Sequence, residues 1–355
     1  GLGDVYKRQH FRTHISMDRN ISLLFEKLIQ GDRVALGQAM TMVESERAED
    51  RNRAIDLLIL CERKLRVHDP SIRFAISGAP GVGKSTLIEA LGLKAISKGF
   101  QVGVITIDPT SSLSHGSILG DKSRMSGLST NSSAFIRSSP AGSVLGGMGR
   151  RSYEMITLLA AVGYDLIFIE TVGVGQSEHT AWQITDGFIL VVQPGGGDEL
   201  QGIKRGITEL ADMVIVNKAD GPLAALAELS KQQYQNALHY FSPLRQGWEP
   251  KITTCSAQEG TGIDNVLENI RLYQDIRLRN TSPTEERKRQ ETFWLTWSLG
   301  ITANQLLMNH PVVKGKFRDA FSTSGTETMS VFKTAFEIEN LMKMIIDPSN
   351  LKSES

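Results

Sequence analysis

Between residues 72 and 255, short apolar runs rich in β-branched residues alternate with helix-length segments, and this alternation restricts the chain to an α/β fold. The runs at 72–77, 102–107, 134–137, 166–170, 188–193, 213–217 and 252–255 read as seven strands. Parallel neighbours need a crossover between them, and the intervening segments are long enough to provide one as a helix. The expected core is therefore a doubly wound, mostly parallel sheet. Ligands of such sheets bind outside the carboxyl ends of the strands, so the loops that follow each strand are where chemistry is expected.

Helical segments flank the sheet on both sides. Upstream, Leu24, Phe25, Leu28 and Ile29 recur at helical spacing before Gly31, and 34–44 and 48–67 repeat the pattern, the latter with Ile55, Leu58, Cys61 and Leu65 along one stripe. Asp69-Pro70 closes this prelude, because the residue before proline is pushed out of the helical region. Downstream of Thr281 the strand signal ends, and 285–309, 312–320 and 329–344 read as helices carrying Trp294, Trp297 and Leu306. The expected organisation is a helical segment at 17–69, a sheet domain at 70–280 and a helical extension at 281–355. The basic stretch before Met17, with Asp4 its only acid, is read as an addition to the native chain and set aside.

Composition excludes several classes of function. Lys plus Arg equals Asp plus Glu at 39 each, so the net charge is zero and the electrostatic footprint of a nucleic-acid or anionic-membrane binder is missing. No apolar run approaches the eighteen or so residues that cross a bilayer. Cys61 and Cys255 are far apart and form no Cys-x-x-Cys, which argues against a disulfide scaffold or zinc ribbon and for a reducing, cytoplasmic setting.

Several strand-end loops carry recognisable chemistry. After the first strand, Gly78-Ala79-Pro80-Gly81-Val82-Gly83-Lys84-Ser85-Thr86 fits the phosphate-loop pattern and leads into a helix. Gly78, Gly81 and Gly83 let backbone N–H groups turn toward phosphate oxygens, the helix N-terminus adds partial positive charge, Lys84 reaches the β- and γ-phosphates, and Ser85 ligates Mg²⁺. After the sixth strand, Asn217-Lys218-Ala219-Asp220 suits a base-binding N-K-x-D element. An ionised Asp220 accepts from both N1–H and the exocyclic amine of guanine, whereas adenine offers an acceptor at N1, so GTP is favoured over ATP. Ser256 and Ala257, after the seventh strand, are expected to offer backbone N–H to the guanine oxygen. Asp108, Asp121 and Glu170 are carboxylates on the same rim, suited to Mg²⁺ either directly or through its waters. Gly173 is expected to donate to the γ-phosphate, and Gln176 is a candidate for orienting the attacking water. The loop 194–204 is a candidate second moving element, and Arg150 or Arg151 a possible source of positive charge for the phosphates.

Taken with Asp108-Pro109-Thr110-Ser111-Ser112, Gly120-Asp121-Lys122-Ser123-Arg124-Met125 and Glu170-Thr171-Val172-Gly173-Val174-Gly175-Gln176-Ser177-Glu178, these loops resemble those of the methylmalonyl-CoA mutase-associated GTPases, the MeaB/MMAA family, once labelled ArgK-type transport ATPases. The resemblance implies a Mg²⁺-dependent GTPase that is a G-protein chaperone of an adenosylcobalamin-dependent acyl-CoA mutase, gating cofactor loading and protecting or reactivating the mutase. It also implies a homodimer formed by the C-terminal helices. Lys84, Asp121, Glu170 and Gln176 would be catalytic. Gly78, Gly81, Gly83, Lys84, Ser85, Thr86, Gly173, Asn217, Lys218, Asp220, Ser256 and Ala257 would hold GTP or GDP, with Ser85, Asp108, Asp121 and Glu170 around the metal. Ser112-Leu113-Ser114-His115 departs from the family's more usual Ser-Pro-containing loop. Two rival classes share this type of sheet: a P-loop ATPase or kinase linked to basic amino-acid transport, and a nickel metallochaperone GTPase. Asp220 argues against the first, and the scattered histidines and isolated cysteines against the second.

Overall fold

The computed structural model describes residues 19–108, 124–140, 151–173, 176–195, 205–241 and 243–315. Two compact units divide the chain, one running through Glu291 and the other from Thr292. In the first unit the prelude forms α1 (Arg19–Ile29), α2 (Arg33–Glu44) and α3 (Ala48–Val67). Asp32 caps α2, its carboxylate accepting from the N–H groups of Val34 and Ala35 at 2.8 and 3.1 Å. The sheet elements follow as β1 (Ile72–Ser77), α4 (Lys84–Ser97), β2 (Val102–Asp108), α5 (Ser126–Thr130), β3 (Ala134–Pro140), α6 (Ser152–Val162) and β4 (Leu166–Glu170). They continue as α7 (Gln176–Ile184), β5 (Gly187–Val192), α8 (Arg205–Thr208), β6 (Met213–Val216), α9 (Ala224–Leu238), β7 (Lys251–Thr254), α10 (Ile263–Asn280) and α11 (Pro283–Asn309).

The seven strands form one parallel sheet in the order β3-β2-β4-β1-β5-β6-β7. All seven strands expected from the sequence are present, two of them with the expected bounds and the others with ends shifted by one to three residues. The central strands β1, β5 and β6 are buried along their whole length, which is why they read as continuous apolar runs rather than alternating ones. One core cluster joins Phe74, Ile76 and Phe168 of the sheet to Leu87, Leu91, Val266 and Ile270 of the helices above it. The expected helices 312–320 and 329–344 lie, apart from residues 312–315, outside the described residues.

The prelude belongs to the same compact unit as the sheet. Its helices pack on α6, a helix buried almost throughout. Arg51 makes a two-pronged ion pair with Glu154 at 2.6 and 2.7 Å, and Arg33 donates to the carbonyls of Asn131 and Ser132 in the turn before β3. Arg151, a candidate for phosphate duty, pairs with Glu154 at 3.4 Å and its side chain is only 11% exposed. Glu154 is thus shared by Arg151 of its own helix and Arg51 of the prelude. Arg150 lies outside the described residues.

The amino-terminal end of the sheet is closed by buried charge. Asp186, immediately before β5, accepts from the N–H of Arg73 at 2.9 Å, from Gln290 at 3.0 Å and from Arg277 at 3.0 Å, and is paired with Arg287. Arg73 and Arg287 also share Asp69 at 2.8 and 2.7 Å. Burial pushes the Asp186 carboxyl up, but Arg287, Arg277 and Arg73 outweigh it and hold the group well below the usual carboxylate range. The first turns of α11 are thereby fixed to β1 and β5. Nearby, Arg245 and Arg289 lie over the Trp182 ring of α7, at 4.9 and 5.7 Å, and Arg289 donates to Gln183 at 2.8 Å.

Asp212, immediately before β6, is the exception in this charged layer. It accepts from the Phe188 N–H at 2.9 Å, but the Arg245 guanidinium comes no closer than 3.9 Å, and burial pushes its carboxyl up to about 7. The folded state therefore binds a proton that the unfolded chain releases near the ordinary value of 3.8, so the group's contribution to stability is present in acid and lost as pH rises through 7. Asp212→Asn keeps an acceptor for Phe188 and removes the titration. Relative to the wild type, the variant should gain stability steadily between about pH 4.5 and pH 7.5 and level off above. Urea midpoints measured across that range check this, and a pH-independent difference refutes it.

Candidate nucleotide-binding site

The loops that follow β1, β4, β6 and β7 meet at the carboxyl end of the sheet, with β1 at the centre between β4 and β5. The phosphate loop leaves β1 at Gly78 and enters α4 at Lys84. Gly83 caps the helix in a left-handed conformation, φ 94°, without any side-chain cap. The first-turn N–H groups of Lys84, Ser85 and Thr86 have no partner within the helix, which is the arrangement that attracts an anion. A Cβ on Gly83 would lie 2.5 Å from Nδ2 of Asn217, so both the backbone angle and the close neighbour require glycine there.

Lys84 is 8% exposed, and its ammonium donates to the carbonyls of Gly78 and Ala79 at 2.9 and 3.3 Å. Burial lowers its pKa, and the carboxylates of Glu170 and Glu178 oppose that shift. Ser85 Oγ donates to Glu170 Oε1 at 2.9 Å, placing a hydroxyl and a carboxylate together at the end of the phosphate loop. Such oxygen donors suit a hard cation. Thr86 is exposed in the first turn of α4. Gly173, φ 87°, packs so closely on the phosphate loop that a Cβ would sit 2.1 Å from the Gly78 carbonyl oxygen. The Thr171 N–H donates to the Ile76 carbonyl at 3.0 Å, so the segment after β4 is laced to the end of β1.

The base half is built around Asn217, which is 2% exposed. Its Nδ2 donates to the Val82 carbonyl at 3.0 Å and its Oδ1 accepts from the Ala257 N–H at 3.0 Å. Lys218 is the single described non-glycine residue with positive φ, at 60°, and its ammonium reaches across to the Gly81 carbonyl at 2.7 Å. Asp220 is half-buried beside this bridge. The N–H groups expected to meet the guanine oxygen have partners within the protein. The Ser256 N–H donates to the Thr261 carbonyl and the Ala257 N–H to Asn217 Oδ1, both at 3.0 Å. Ala257 thus holds Asn217 in place, while Ser256 closes the turn that follows β7.

Of the remaining expected residues, Asp108 ends β2 and Gln176 opens α7, with side chains outside the described set, while Asp121 and most of the loop 194–204 lie wholly outside it. Gly195, at the beginning of that loop, donates to Ser230 Oγ of α9 at 3.1 Å. Glu178 has no role in the sequence-level reading, although its carboxylate is fully buried and acts on Lys84. Its only signal is its place at the end of the string that follows Glu170. An acid in the first turn of a helix otherwise reads as ordinary compensation of the helix dipole.

A phosphate loop on the central strand, a carboxylate beside its serine, and an Asn-Lys-x-Asp turn bridged to it define a P-loop nucleotide-binding protein of the guanine-selective type. Residues 36–311 match the family described as methylmalonyl Co-A mutase-associated GTPase MeaB, and the chain belongs to this family and is a GTPase. A putative GTPase of Caulobacter vibrioides is 41% identical over 305 residues, covering 86% of this chain and 88% of the relative. The mouse methylmalonic aciduria type A homolog, mitochondrial, is 40% identical over 305 residues, covering 83% and 73%. GTPase ArgK of Escherichia coli is 40% identical over 269 residues, covering 76% and 80%. The crystal structure of an LAO/AO transport system kinase superposes with a TM-score of 0.71 at 28% identity, covering 92% of this chain and 98% of that one.

Gly83→Ala should cost both stability and nucleotide affinity, because the added methyl group displaces Asn217. Gly99→Ala supplies the control, since Gly99 has a similar φ of 91° and nothing within 4 Å of its added Cβ. Gly99→Ala should destabilise by about 1 kcal/mol and leave GTP affinity intact. Gly83→Ala should weaken GTP at least about tenfold, roughly 1.4 kcal/mol. Equal GTP affinities in the two variants would refute the Asn217 contact.

Proposed function

We propose that this GTPase is a G-protein chaperone of an adenosylcobalamin-dependent acyl-CoA mutase of the methylmalonyl-CoA type. On this reading it couples GTP binding and hydrolysis to cofactor loading and to protection or reactivation of the mutase. The observation that carries the guanine part is the bridge from the Asn217–Asp220 turn to the phosphate loop. With Asn217 and Lys218 spent on that bridge, Asp220 is the half-buried carboxylate left to recognise a base. Family membership supports the link to a mutase.

The parts divide as follows. Gly78, Gly81, Gly83 and the first-turn N–H groups of α4 hold the phosphates, and Lys84 exchanges its two carbonyl partners for β- and γ-phosphate oxygens. Mg²⁺ fits beside Ser85 and Glu170, where it would neutralise phosphate charge. Asp108 and Asp121 complete its surroundings. Gly173 donates to the γ-phosphate, Gln176 orients water, and the segment after Glu170 reports hydrolysis. The protein acts as a homodimer in the cytoplasm, joined through its C-terminal helices. No helix among the described residues is long and apolar enough to cross a membrane. The transport-kinase structure shares the fold and so does not distinguish ATP from GTP, whereas Asp220 does.

Lys84→Ala should abolish hydrolysis in a protein that still folds, and unchanged turnover would remove the phosphate assignment. Asp220→Asn should weaken GTP by about ten- to a hundredfold, the effect of losing a charge-assisted pair, and should favour xanthosine triphosphate, whose 2-oxo group accepts from an amide. Calorimetry with both nucleotides checks this, with unaltered preference as the refuting result. For the partner, gel filtration with methylmalonyl-, isobutyryl- and ethylmalonyl-CoA mutases and a non-hydrolysable GTP analogue should give a complex with one of them. Separate elution from all three overturns the chaperone reading.

A further inference from the structure

Glu178 is a carboxylate with no exposed surface, in the first turn of α7 and directly beneath the phosphate loop. The Ser77 hydroxyl, one residue before Gly78, donates to its Oε1 at 3.5 Å, and the Ser177 hydroxyl donates to its Oε2 at 3.1 Å. Dipole compensation at a helix start yields about 0.3–1 kcal/mol, whereas burying an ion costs several. A cation beside the carboxylate offsets that cost, and the Lys84 ammonium interacts with both Glu170 and Glu178.

These two carboxylates have different surroundings. Glu170 lies against the Ser85 hydroxyl on the side where a cation and phosphates enter, while Glu178 lies below the loop, against Ser77. When Lys84 turns from the Gly78 and Ala79 carbonyls to a nucleotide, Glu170 would be held by Ser85 and by a cation bound beside it, which would leave Glu178 behind the ammonium. Gly173 presses on the Gly78 carbonyl from one side, and Glu178 holds Ser77 from another. Gly173 and Glu178 thus hold the junction of β1 with the phosphate loop at two successive residues, Gly78 and Ser77.

We propose that Glu178 is a positioning residue for GTP hydrolysis: through Ser77 and the Lys84 ammonium it fixes the geometry in which Lys84 and the loop after Glu170 meet the γ-phosphate. This rests on the assignment of Lys84 to the phosphates. Lys84 serves the β-phosphate as well, but the loop after Glu170 meets the γ-phosphate alone, so loss of Glu178 affects hydrolysis more than binding of the diphosphate.

The test compares Glu178→Gln, which keeps shape and removes charge, with Glu178→Asp, which keeps charge, and with Lys84→Ala. Single-turnover hydrolysis should slow at least tenfold in Glu178→Gln, with GDP affinity by calorimetry within threefold of wild type, and Glu178→Asp should recover most of the rate. Hydrolysis within twofold of wild type in Glu178→Gln overturns the proposal, as does a parallel fall in rate, GDP affinity and melting temperature, which marks a structural role alone. Should Glu178→Gln fail to fold, Ser77→Ala decides: a rate at least threefold slower with GDP affinity retained is expected, and an unchanged rate refutes the idea. If Lys84→Ala itself hydrolyses GTP normally, the phosphate assignment fails; if it is inactive while Glu178→Gln is normal, this inference alone fails.

Discussion

The side-chain amide of Asn217 is the contact on which the nucleotide site depends. One end of it donates to the phosphate loop at Val82 and the other accepts from the loop after β7, so three separate strand ends are tied through a single buried group. An amide suits this position because it offers a donor and an acceptor at opposite edges, each fully used away from water, where an unmet partner costs about 1–3 kcal/mol. The Lys218 ammonium adds a second strap to the same loop at Gly81. A loop rich in glycine would otherwise be too mobile to present its N–H groups in a fixed array, and these two straps provide the rigidity that its composition lacks.

The opposite end of the sheet is organised by charge. Asp186 and Asp69 collect Arg73, Arg277 and Arg287 into one buried network that fixes α10 and the first turns of α11 to the base of β1 and β5. Breaking such a network leaves an unpaired ion inside the protein, at a cost of about 3–5 kcal/mol. Tyr273 of α10 adds apolar contact, packing on Phe74 and edge-on against Trp248. Chemistry at one end of the strands is thus supported by an ionic foundation at the other, with the fully buried strands β1 and β5 between.

Much of the fold was legible because parallel strands buried on both faces leave continuous β-branched runs in the sequence, and all seven appear. Strand ends shifted because pairing, not hydropathy, ends a strand: β3 runs on to Pro140 because β2 pairs with it through Asp108. The glycine, lysine and serine of the phosphate loop and the Asn-Lys-x-Asp turn were readable because their chemistry is local in sequence. The commitments of Ser256 and Ala257 were not, since the partners that occupy their N–H groups include a residue forty positions away. Glu178 was hidden for the same reason, and Arg151 because its neighbour Glu154 is itself tied to Arg51 far back in the chain. A charge at the start of a helix looks alike whether it meets solvent or, as here, Glu154 and Lys84.

Helix α7 is nine residues long, about 13 Å at 1.5 Å per residue, and neither end is free. Its first turn carries Glu178 under the phosphate loop, while its last turn carries Trp182 and Gln183 against Arg245 and Arg289. So short a rod cannot absorb a tilt by bending along its length. Any swing of the upper turn must reappear as sliding of the guanidinium planes across the indole, and a tryptophan emission change is the natural place to watch the phosphate loop from afar.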